Sequence, residues 1–327
     1  MKNEIIYRIL KVFMTMLGFV PRRPGKFLGD ILGLIWFRVD RRHREITLEN
    51  IRLSLGRTSH VQDMAIQGKS LKVSSEKNLV LSDIDQQMLA KNIFKNIAGM
   101  LFELGWGYLL KREEIPRYFT IKGVENIEKA HARGKGVLVI ICHMGNWELL
   151  AAAVATTGYK TSILYRKFDF APLERLILEM RQKYGTVLIP LRGASLQIEQ
   201  RLSAGEVVGT LMDQNVDWYK GVFVEFFGRP ACTNSGVASL VLRTRTAVVP
   251  AYIVREGFKH VMHFEPEIPL VSTGDRIKDI EINTQNYTSA IESIIRCYPD
   301  QWFWVHNRWK VKNYSVLPQA SVLSQGK

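Results

Sequence analysis

Residues 136–149 read GVLVIICHMGNWEL, and they combine the pattern of a buried strand with that of a tight turn into a helix. The apolar run is short and rich in β-branched residues, as in strands that are covered on both faces of a sheet. Gly145 permits a sharp backbone path after the run. Asn146 is favourable at a helix start, and an alanine-rich segment follows it. These features predict a strand that ends at His143, followed by a turn and a helix.

Four more runs along the chain have the same strand character, and helical segments separate them. With 136–142, the predicted strands are 161–165, 186–190, 207–212 and 247–254. The predicted helices around them are 125–133, 147–156, 172–184, 196–202 and 236–243. This alternation indicates an α/β fold with a mostly parallel central sheet sandwiched by helices. In such sheets, ligands bind beyond the carboxyl ends of the strands.

The composition of the 327 residues is that of a globular protein, because 46% are hydrophobic and 23% are charged. A wholly disordered or collagen-like chain is therefore excluded. We divide the chain into N-terminal amphipathic, membrane-associated helices (1–45), a helical cap with a polar excursion near 57–80 (46–117), an α/β core (118–312) and a polar tail (313–327). The three scattered cysteines form no CxxC pair, so we expect neither a disulfide framework nor a metal site.

The N-terminal segment alternates apolar helices with cationic clusters. Apolar residues recur at helical spacing over 1–20, a second apolar run covers 27–37, and basic residues follow each of them. This arrangement favours insertion at an anionic lipid surface, and the net charge of +14 also calls for an anionic partner. The alternative is a pair of ordinary helices that cover a soluble core. Whether the first segment spans the bilayer or lies on it stays open, and no nucleic-acid partner is expected because no such signature is present.

His143 and Glu148 are the candidate catalytic pair. His143 follows the predicted strand and Glu148 falls in the first helical turn, so a tight turn can bring the two side chains together. A histidine oriented by a carboxylate can take a proton from a substrate hydroxyl. The alternative is that His143 caps the turn and Glu148 only favours the helix dipole. Cys142 points to the opposite face of the strand, so we expect it in the core rather than as a nucleophile.

Several ordered blocks resemble the lipid A biosynthesis acyltransferases, the lauroyl and myristoyl transferase family within the lysophospholipid (glycerolipid) acyltransferase-like superfamily. The blocks are 123–126, 134–143, 145–148, 165–166, 213–214, 221–228, 299–304 and 308–310, with Pro250 and His306. This resemblance runs from about residue 5 to residue 310. It implies the glycerolipid acyltransferase-like fold, and transfer of a fatty acyl chain from a thioester to a hydroxyl of a glycolipid. The superfamily usually has Asp where this chain has Glu148, whereas Glu is common in the lipid A branch.

The resemblance also supplies expected roles for individual residues. His143 is expected to be the base and Glu148 its orienter. Arg166, at a strand end, is expected to bind phosphate or stabilise oxyanion charge, and the alternative is a structural arginine that bonds carbonyl groups. Asp213 is placed at the site too, and whether it orients Arg166, binds sugar hydroxyls or supports the loop stays open. The candidate substrate-binding residues are Asn146, Trp147, Tyr165, Gln214, Phe223, Phe226, Phe227 and Arg308. The three phenylalanines suit an acyl groove and a hydrophobic core equally well.

The resemblance, together with the N-terminal helices and the positive charge, implies an acyltransferase at the cytoplasmic face of the bacterial inner membrane that performs the late, secondary acylation of a lipid A precursor. The expected co-substrate is acyl-ACP (the acyl carrier protein thioester) or acyl-CoA, with no further cofactor. The expected partners are acyl carrier protein, a glycolipid acceptor and an anionic membrane surface. One alternative is acylation of another lipid, such as a lysophospholipid, a phosphoinositide mannoside or an ornithine lipid. Another is a membrane lipid-binding protein without turnover.

Overall fold

The computed structural model describes residues 2–56, 65–66, 69–70 and 81–311. The predicted polar excursion near 57–80 lies outside these residues except for two dipeptides, Ala65–Ile66 (β1) and Lys69–Ser70 (β2), which pair antiparallel. The predicted tail at 313–327 lies outside them entirely.

Helices dominate the described part of the chain before residue 110. They are α1 (Lys2–Gly18), α2 (Arg22–Val39), α3 (Arg41–Leu55) and α4 (Asp83–Leu109). Pro21 separates α1 from α2 in an extended conformation that its ring favours. Asp40 accepts a hydrogen bond from the backbone amide of His43 and caps α3. Ser82 accepts one from the amide of Asp85 and caps α4 in the same way.

A seven-stranded sheet forms the centre of the molecule, with the strand order β3-β11-β10-β4-β7-β5-β6. The strands are β3 (Phe119–Lys122), β4 (Val137–Ile141), β5 (Thr161–Tyr165), β6 (Val187–Pro190), β7 (Val207–Leu211), β10 (Ala247–Glu256) and β11 (Lys259–Phe264). β10 and β11 pair antiparallel, and the other neighbouring strands pair parallel. The predicted mostly parallel sheet is thus confirmed. β8 (Gly221–Phe226) and β9 (Arg229–Asn234) form a separate hairpin.

Helices cover both faces of this sheet. They are α5 (Ile115–Tyr118), α6 (Val124–His131), α7 (Leu150–Val154), α8 (Ala171–Gln182), α9 (Ser195–Ser203), α10 (Gly236–Thr244) and α11 (Arg276–Cys297). Single 3₁₀ turns lie at Arg112–Glu114, Trp147–Leu149 and Trp218–Lys220. The predicted helix at 147–156 is therefore the second of these turns followed by the short α7.

The residues of β4 alternate between two hydrophobic cores, one on each face of the sheet. Leu138, Ile140 and Cys142 belong to the core that also contains buried residues of α3, α4, α10 and α11. Val137, Val139 and Ile141 belong to the core built with α6 and α7. This alternation follows from the two-residue period of a strand. Cys142 is 1% exposed, as expected for a core residue. His143 lies on the opposite side, where it lines a cavity together with Ile141.

Close packing attaches α2 to α4 along a line of glycines. A Cβ atom on Gly29 would lie 2.7 Å from the Cα of Gly99, and one on Gly33 would lie 2.5 Å from the Cα of Lys95. Larger residues at Gly29 and Gly33 would therefore force the two helices apart. α1 packs on α4 and α8 through Tyr7 and other apolar residues of its inner face.

The outer faces of α1 and α2 are apolar and exposed. Their exposed large hydrophobic residues are Ile5, Ile9, Val12, Phe13, Met16, Phe19, Phe27, Leu28, Ile31, Leu32, Leu34, Ile35 and Val39. None of the helices in the described ranges has both the length and the apolar character that crossing a membrane requires.

Candidate active site

The register of two central strands brings His143 and Asp213 together. β4 and β7 are parallel neighbours in which Ile141 pairs with Leu211. His143 and Asp213 each lie two residues beyond that pair, so both leave the sheet at the same level of its carboxyl edge. The Nδ1 atom of His143 lies 2.7 Å from Oδ1 of Asp213, and the backbone amide of His143 donates to Oδ2 at 2.8 Å.

Asp213 is a buried carboxylate that stays charged. It is 3% exposed, and burial alone would raise its pKa. The electrostatic interaction with His143, the two hydrogen bonds from His143 and a third from Nε1 of Trp302, at 2.7 Å, together lower the pKa of Asp213 to about 2. Three hydrogen bonds, two from His143 and one from Trp302, therefore stabilise the charged form of this carboxylate.

The hydrogen bonds of His143 assign its tautomer. Because Asp213 accepts only, Nδ1 carries the proton that it donates to Oδ1, and Nε2 is left with its lone pair. The side-chain amide of Gln214 lies 3.3 Å from this Nε2 atom and donates to it. Trp147 contacts the imidazole edge-on, with the ring centroids 5.0 Å apart. The arrangement holds Nε2 as a base that faces the cavity described below.

The loop after β4 is held by the segment that contains Trp302. The amide of Gly145 donates to the carbonyl of Gln301 at 3.0 Å, and the amide of Phe303 donates to the carbonyl of His143 at 3.1 Å. Gly145 has a φ of +57°, and a Cβ atom there would collide with the carbonyl oxygen of Ile253. Any other residue at this position would therefore displace the loop that carries His143.

Glu148 does not orient His143 in this structure, which corrects the expected pairing. Both of its carboxylate oxygens accept from Arg181 of α8, at 2.7 and 2.8 Å, and one also accepts from Nε1 of Trp147. The 3₁₀ turn at Trp147–Leu149 directs Glu148 toward α8, while Asp213 of the neighbouring strand occupies the position next to Nδ1 of His143. Arg181 was not predicted, because nothing in its local sequence sets it apart from other helix arginines.

A cavity of about 460 Å³ opens beside His143, and we call it the His143 cavity. It brings together six of the predicted site residues: His143, Trp147, Glu148, Tyr165, Arg166 and Gln214. Strand and helix residues supply apolar walls, namely Ile141, Leu150, Ala151, Ile163 and Leu211. The cavity thus joins a base, a cation and an apolar surface.

Arg166 and its neighbour Lys167 supply positive charge to the His143 cavity. Both follow β5 at the carboxyl edge of the sheet and are exposed. Arg181 also lines the cavity, but its charge is paired with Glu148. Arg166 is therefore placed to meet an anionic or polarised oxygen of a bound molecule.

Of the eight predicted substrate-binding residues, five do not line the His143 cavity, namely Phe226, Phe227, Arg308, Phe223 and Asn146. Phe226 and Phe227 are 1% and 5% exposed and pack against Trp302 and Trp304. Arg308 is 1% exposed, donates to the carbonyl of Cys232 at 2.7 Å and also bonds Oγ1 of Thr233. The fourth, Phe223, is half-buried in the β8–β9 hairpin. The pattern of residues 221–228 is thus explained by packing between this hairpin and the tryptophan segment.

Asn146 faces away from the His143 cavity and anchors the loop from behind. It is fully buried, and its side-chain amide donates to Oε2 of Glu103 at 2.9 Å. Arg255 donates to both oxygens of Glu103, at 2.6 and 2.7 Å. Burial would raise the pKa of Glu103, but first the charge of Arg255 and then the hydrogen bonds from Arg255 and Asn146 lower it to about 2. Sequence alone gave no sign of this contact, because Glu103 lies in a helix far from Asn146 along the chain.

We expect Glu103→Ala to destabilise the protein by about 3 kcal/mol, because it leaves the guanidinium of Arg255 buried without its carboxylate. Urea denaturation measures this loss. The matched control is Glu45→Ala, which breaks an exposed ion pair with Arg41 and is expected to cost no more than ~0.5 kcal/mol. Equal costs for the two variants would contradict the anchoring role of Glu103.

The family model described as bacterial lipid A biosynthesis acyltransferase matches residues 80–311. A lipid A biosynthesis acyltransferase of Haemophilus influenzae is 22% identical over 224 residues, which are 67% of this chain and 68% of that protein. A phosphatidylinositol mannoside acyltransferase of Mycobacterium tuberculosis is 25% identical over 195 residues, 58% of this chain and 60% of that protein. A lipid A biosynthesis lauroyltransferase of Escherichia coli is 24% identical over 236 residues, 71% of this chain and 74% of that protein.

Proposed function

The chain belongs to the bacterial lipid A biosynthesis acyltransferase family and is an acyltransferase, and from this we propose that it transfers a fatty acyl chain from a thioester to a hydroxyl group of a glycolipid. The observation that carries the proposal is the His143–Asp213 pair beside a cavity that has both a cation and apolar walls. We further propose that the donor is acyl carrier protein and that the acceptor is a lipid A precursor at a late acylation step.

The proposed reaction uses His143 as a general base. Nε2 of His143 takes the proton of the acceptor hydroxyl while its oxygen attacks the thioester carbonyl. Asp213 stabilises the imidazolium that forms, because its buried carboxylate already accepts from Nδ1. The tetrahedral intermediate collapses, the carbon–sulfur bond breaks, and His143 returns the proton to the departing thiolate. A thiolate is a good leaving group, so no covalent intermediate on the protein is needed.

Arg166 is the side chain that we propose for the developing oxyanion or for a phosphate of the acceptor. We expect Arg166→Ala to lower kcat/KM by ~10²-fold, the scale seen when one donor to a developing oxyanion is removed. Steady-state transfer assays measure this loss. Lys167→Ala is the matched control, since it removes a neighbouring exposed cation from the same cavity, and its effect is expected to be small. A larger loss in Lys167→Ala than in Arg166→Ala would reverse the assignment.

The apolar walls of the His143 cavity are proposed to hold the acyl chain. Ile141, Ile163 and Leu211 project from three adjacent strands, and Leu150 and Ala151 project from α7. Apolar lining with a few placed polar groups is the usual character of a site for a largely apolar ligand. The residues predicted for this role, Phe223, Phe226 and Phe227, are replaced in the proposal by these five.

We propose that α1 and α2 hold the enzyme on the cytoplasmic face of the inner membrane. Exposed side chains such as Met16, Phe19 and Phe27, at 65%, 75% and 64% exposure, give the two helices an apolar outer face. Arg22, Arg23 and Lys26, at the start of α2, supply positive charge. Such a face with nearby cations suits insertion at the interface of an anionic membrane.

The test presents acyl carrier protein and coenzyme A thioesters together with three acceptors: a lipid A precursor, a lysophospholipid and a phosphatidylinositol mannoside. Products are identified by mass spectrometry. Acylation of the lipid A precursor from acyl carrier protein supports the full proposal. Acylation of the mannoside alone would support the second candidate, which is favoured by the similarity to mannoside acyltransferases. Transfer only to the lysophospholipid would overturn the glycolipid assignment.

A further inference from the structure

A second cavity, which we call the α2–α4 cavity, lies between the start of α2, the middle of α4 and the turn that joins β10 to β11. Its volume is about 70 Å³, and it shares no lining residue with the His143 cavity. Gly25 and Lys26 line it from α2, Gly99 and Glu103 from α4, and Phe258 from the turn.

The lining of the α2–α4 cavity carries excess positive charge. Five cations, namely Arg22, Lys26, Lys95, Arg255 and Lys259, line it together with the carboxylates of Asp30 and Glu103. Lys26 pairs with Asp30 at 2.7 Å, and Arg255 pairs with Glu103. Among the described residues, Arg22, Lys95 and Lys259 form no ion pair. The lining therefore carries a net charge of +3, which favours an anion.

Aromatic rings hold Arg22 and His260 in place. The guanidinium of Arg22 lies over Trp106 and Tyr118, at 4.7 and 5.1 Å from the ring centroids. His260 lines the cavity, is 1% exposed and stacks on Phe119. Within the described part of the chain neither of its ring nitrogens has a hydrogen-bond partner, and Oε1 of Glu103 lies 3.9 Å from Nε2, beyond hydrogen-bond distance.

His260 can donate a hydrogen bond while its imidazole is uncharged. Burial lowers the pKa of His260 to about 4, so the imidazole is neutral near pH 7 and carries one N–H group. A buried N–H group requires an acceptor, and an oxygen of a bound anion would supply it. Nη1 of Arg255 is a second buried donor that lacks a partner among the described residues.

The α2–α4 cavity lies at the edge of the exposed apolar face of α1 and α2. Val20 and Lys26 line it, and their chain neighbours Phe19 and Phe27 are 75% and 64% exposed. Phe258, at the β10–β11 turn, lines the cavity and is 43% exposed. A cationic recess beside exposed aromatic and aliphatic side chains matches the border between headgroups and acyl chains of a bilayer.

We propose that the α2–α4 cavity binds the phosphate of an anionic phospholipid headgroup, with Arg22, Lys95 and Lys259 neutralising its charge and His260 donating to one of its oxygens. The proposal rests on the membrane association proposed above, and it adds a defined lipid site to it. The headgroup would thereby set the depth and orientation of α2 at the membrane surface.

The test measures the partition of the full-length protein onto phosphatidylcholine vesicles and onto vesicles that also contain phosphatidylglycerol. Lys95→Gln/Lys259→Gln removes two charges of the cavity. Lys129→Gln/Lys278→Gln removes two exposed charges that lie outside it. Gly99→Leu fills the cavity and removes no charge. A Cβ atom at Gly99 meets no described atom within 4 Å outside its own stretch of α4.

We expect the preference of the wild type for phosphatidylglycerol to fall ~25-fold in Lys95→Gln/Lys259→Gln, from the energy of two lysines near an anionic surface. Gly99→Leu is expected to lose a comparable part of the preference, whereas Lys129→Gln/Lys278→Gln keeps it. Transfer activity on detergent-solubilised substrates is expected to be unchanged in all three variants, because none of these residues lines the His143 cavity.

Several results would overturn the proposal. If the wild type binds both kinds of vesicle equally, the proposed headgroup site is wrong and the proposed membrane association still holds. If it binds neither kind, both proposals are wrong. If Gly99→Leu keeps the preference for phosphatidylglycerol and the two double variants lose it equally, the preference comes from the overall positive charge and not from binding in the cavity. Suppose calorimetry shows that the wild type binds inorganic phosphate and that Gly99→Leu does not, while vesicle binding is the same in both proteins. The cavity then binds a soluble phosphate compound rather than a lipid headgroup. A raised KM for acyl carrier protein with unchanged vesicle binding identifies an acidic protein surface as the partner.

Discussion

Replacing His143 by alanine is expected to lower kcat for acyl transfer by ~10³-fold, within the range that a positioned general base contributes. Nε2 of His143 is the basic atom directed into the His143 cavity, and its partner Gln214 has no comparable basicity. KM for the thioester is expected to change little, because the apolar walls of the cavity remain. Initial rates of transfer as a function of thioester concentration measure both quantities.

The control for this variant is His43→Ala. His43 also has Nδ1 close to a carboxylate, at 2.6 Å from Asp40, but it lies on α3 and is partly exposed. His43→Ala therefore loses the same kind of contact outside the cavity, and full activity is expected. If His143→Ala kept wild-type kcat while His43→Ala lost activity, the catalytic assignment would be wrong.

Asp213→Asn is expected to reduce kcat by ~10²–10⁴-fold while preserving the shape of the side chain. An asparagine in place of Asp213 cannot stabilise the imidazolium with a negative charge, and its amide group can present a donor to Nδ1 of His143. The proton would then move to Nε2, where the base is needed. Retained near-ultraviolet circular dichroism would show that the loss of kcat is not a loss of folding.

Glu148→Gln is the matched comparison, because it also exchanges a carboxylate for an amide of the same shape. Glu148 contacts Arg181 and Trp147 rather than His143. We expect its effect mainly in KM, since an unpaired Arg181 changes the wall of the cavity. A loss of kcat in Glu148→Gln that exceeds the loss in Asp213→Asn would show that Glu148, and not Asp213, orients His143 during turnover.

The five predicted strands were recognisable because each is a short run of β-branched and apolar residues between turns. Their bounds agree with β4, β5, β6, β7 and β10 to within about two residues. β3 was missed because its four residues include polar side chains, and β11 because it contains Lys259 and two histidines. The order of strands in the sheet depends on long-range pairing that local patterns do not encode.

The same limit explains which part of the site was predicted. Strand ends identified His143, Arg166 and Asp213 individually, since each follows a recognisable strand. The contact between His143 and Asp213 depends on β4 and β7 being neighbours in register, although 70 residues separate the two side chains. The short spacing from His143 to Glu148 suggested a pair, but the turn between them directs Glu148 to α8.

Aromatic residues were the least informative part of the sequence. Phe226 and Phe227 follow a pattern that suits either a groove or a core, and the deciding partner, the segment containing Trp302 and Trp304, lies more than 70 residues later. The acyl site proposed here instead uses aliphatic residues of the strands, such as Ile141 and Leu211. These residues are indistinguishable from ordinary core residues until the cavity is seen.

The central claim is that the His143–Asp213 pair catalyses acyl transfer to a glycolipid. The most direct test follows a labelled acyl chain from acyl carrier protein to a lipid A precursor, with the wild type and Asp213→Asn assayed side by side. We predict that the wild type labels the glycolipid, and that Asp213→Asn, still folded, labels it at least ~10²-fold more slowly. Labelling of the glycolipid at equal rates by the two proteins would contradict the account.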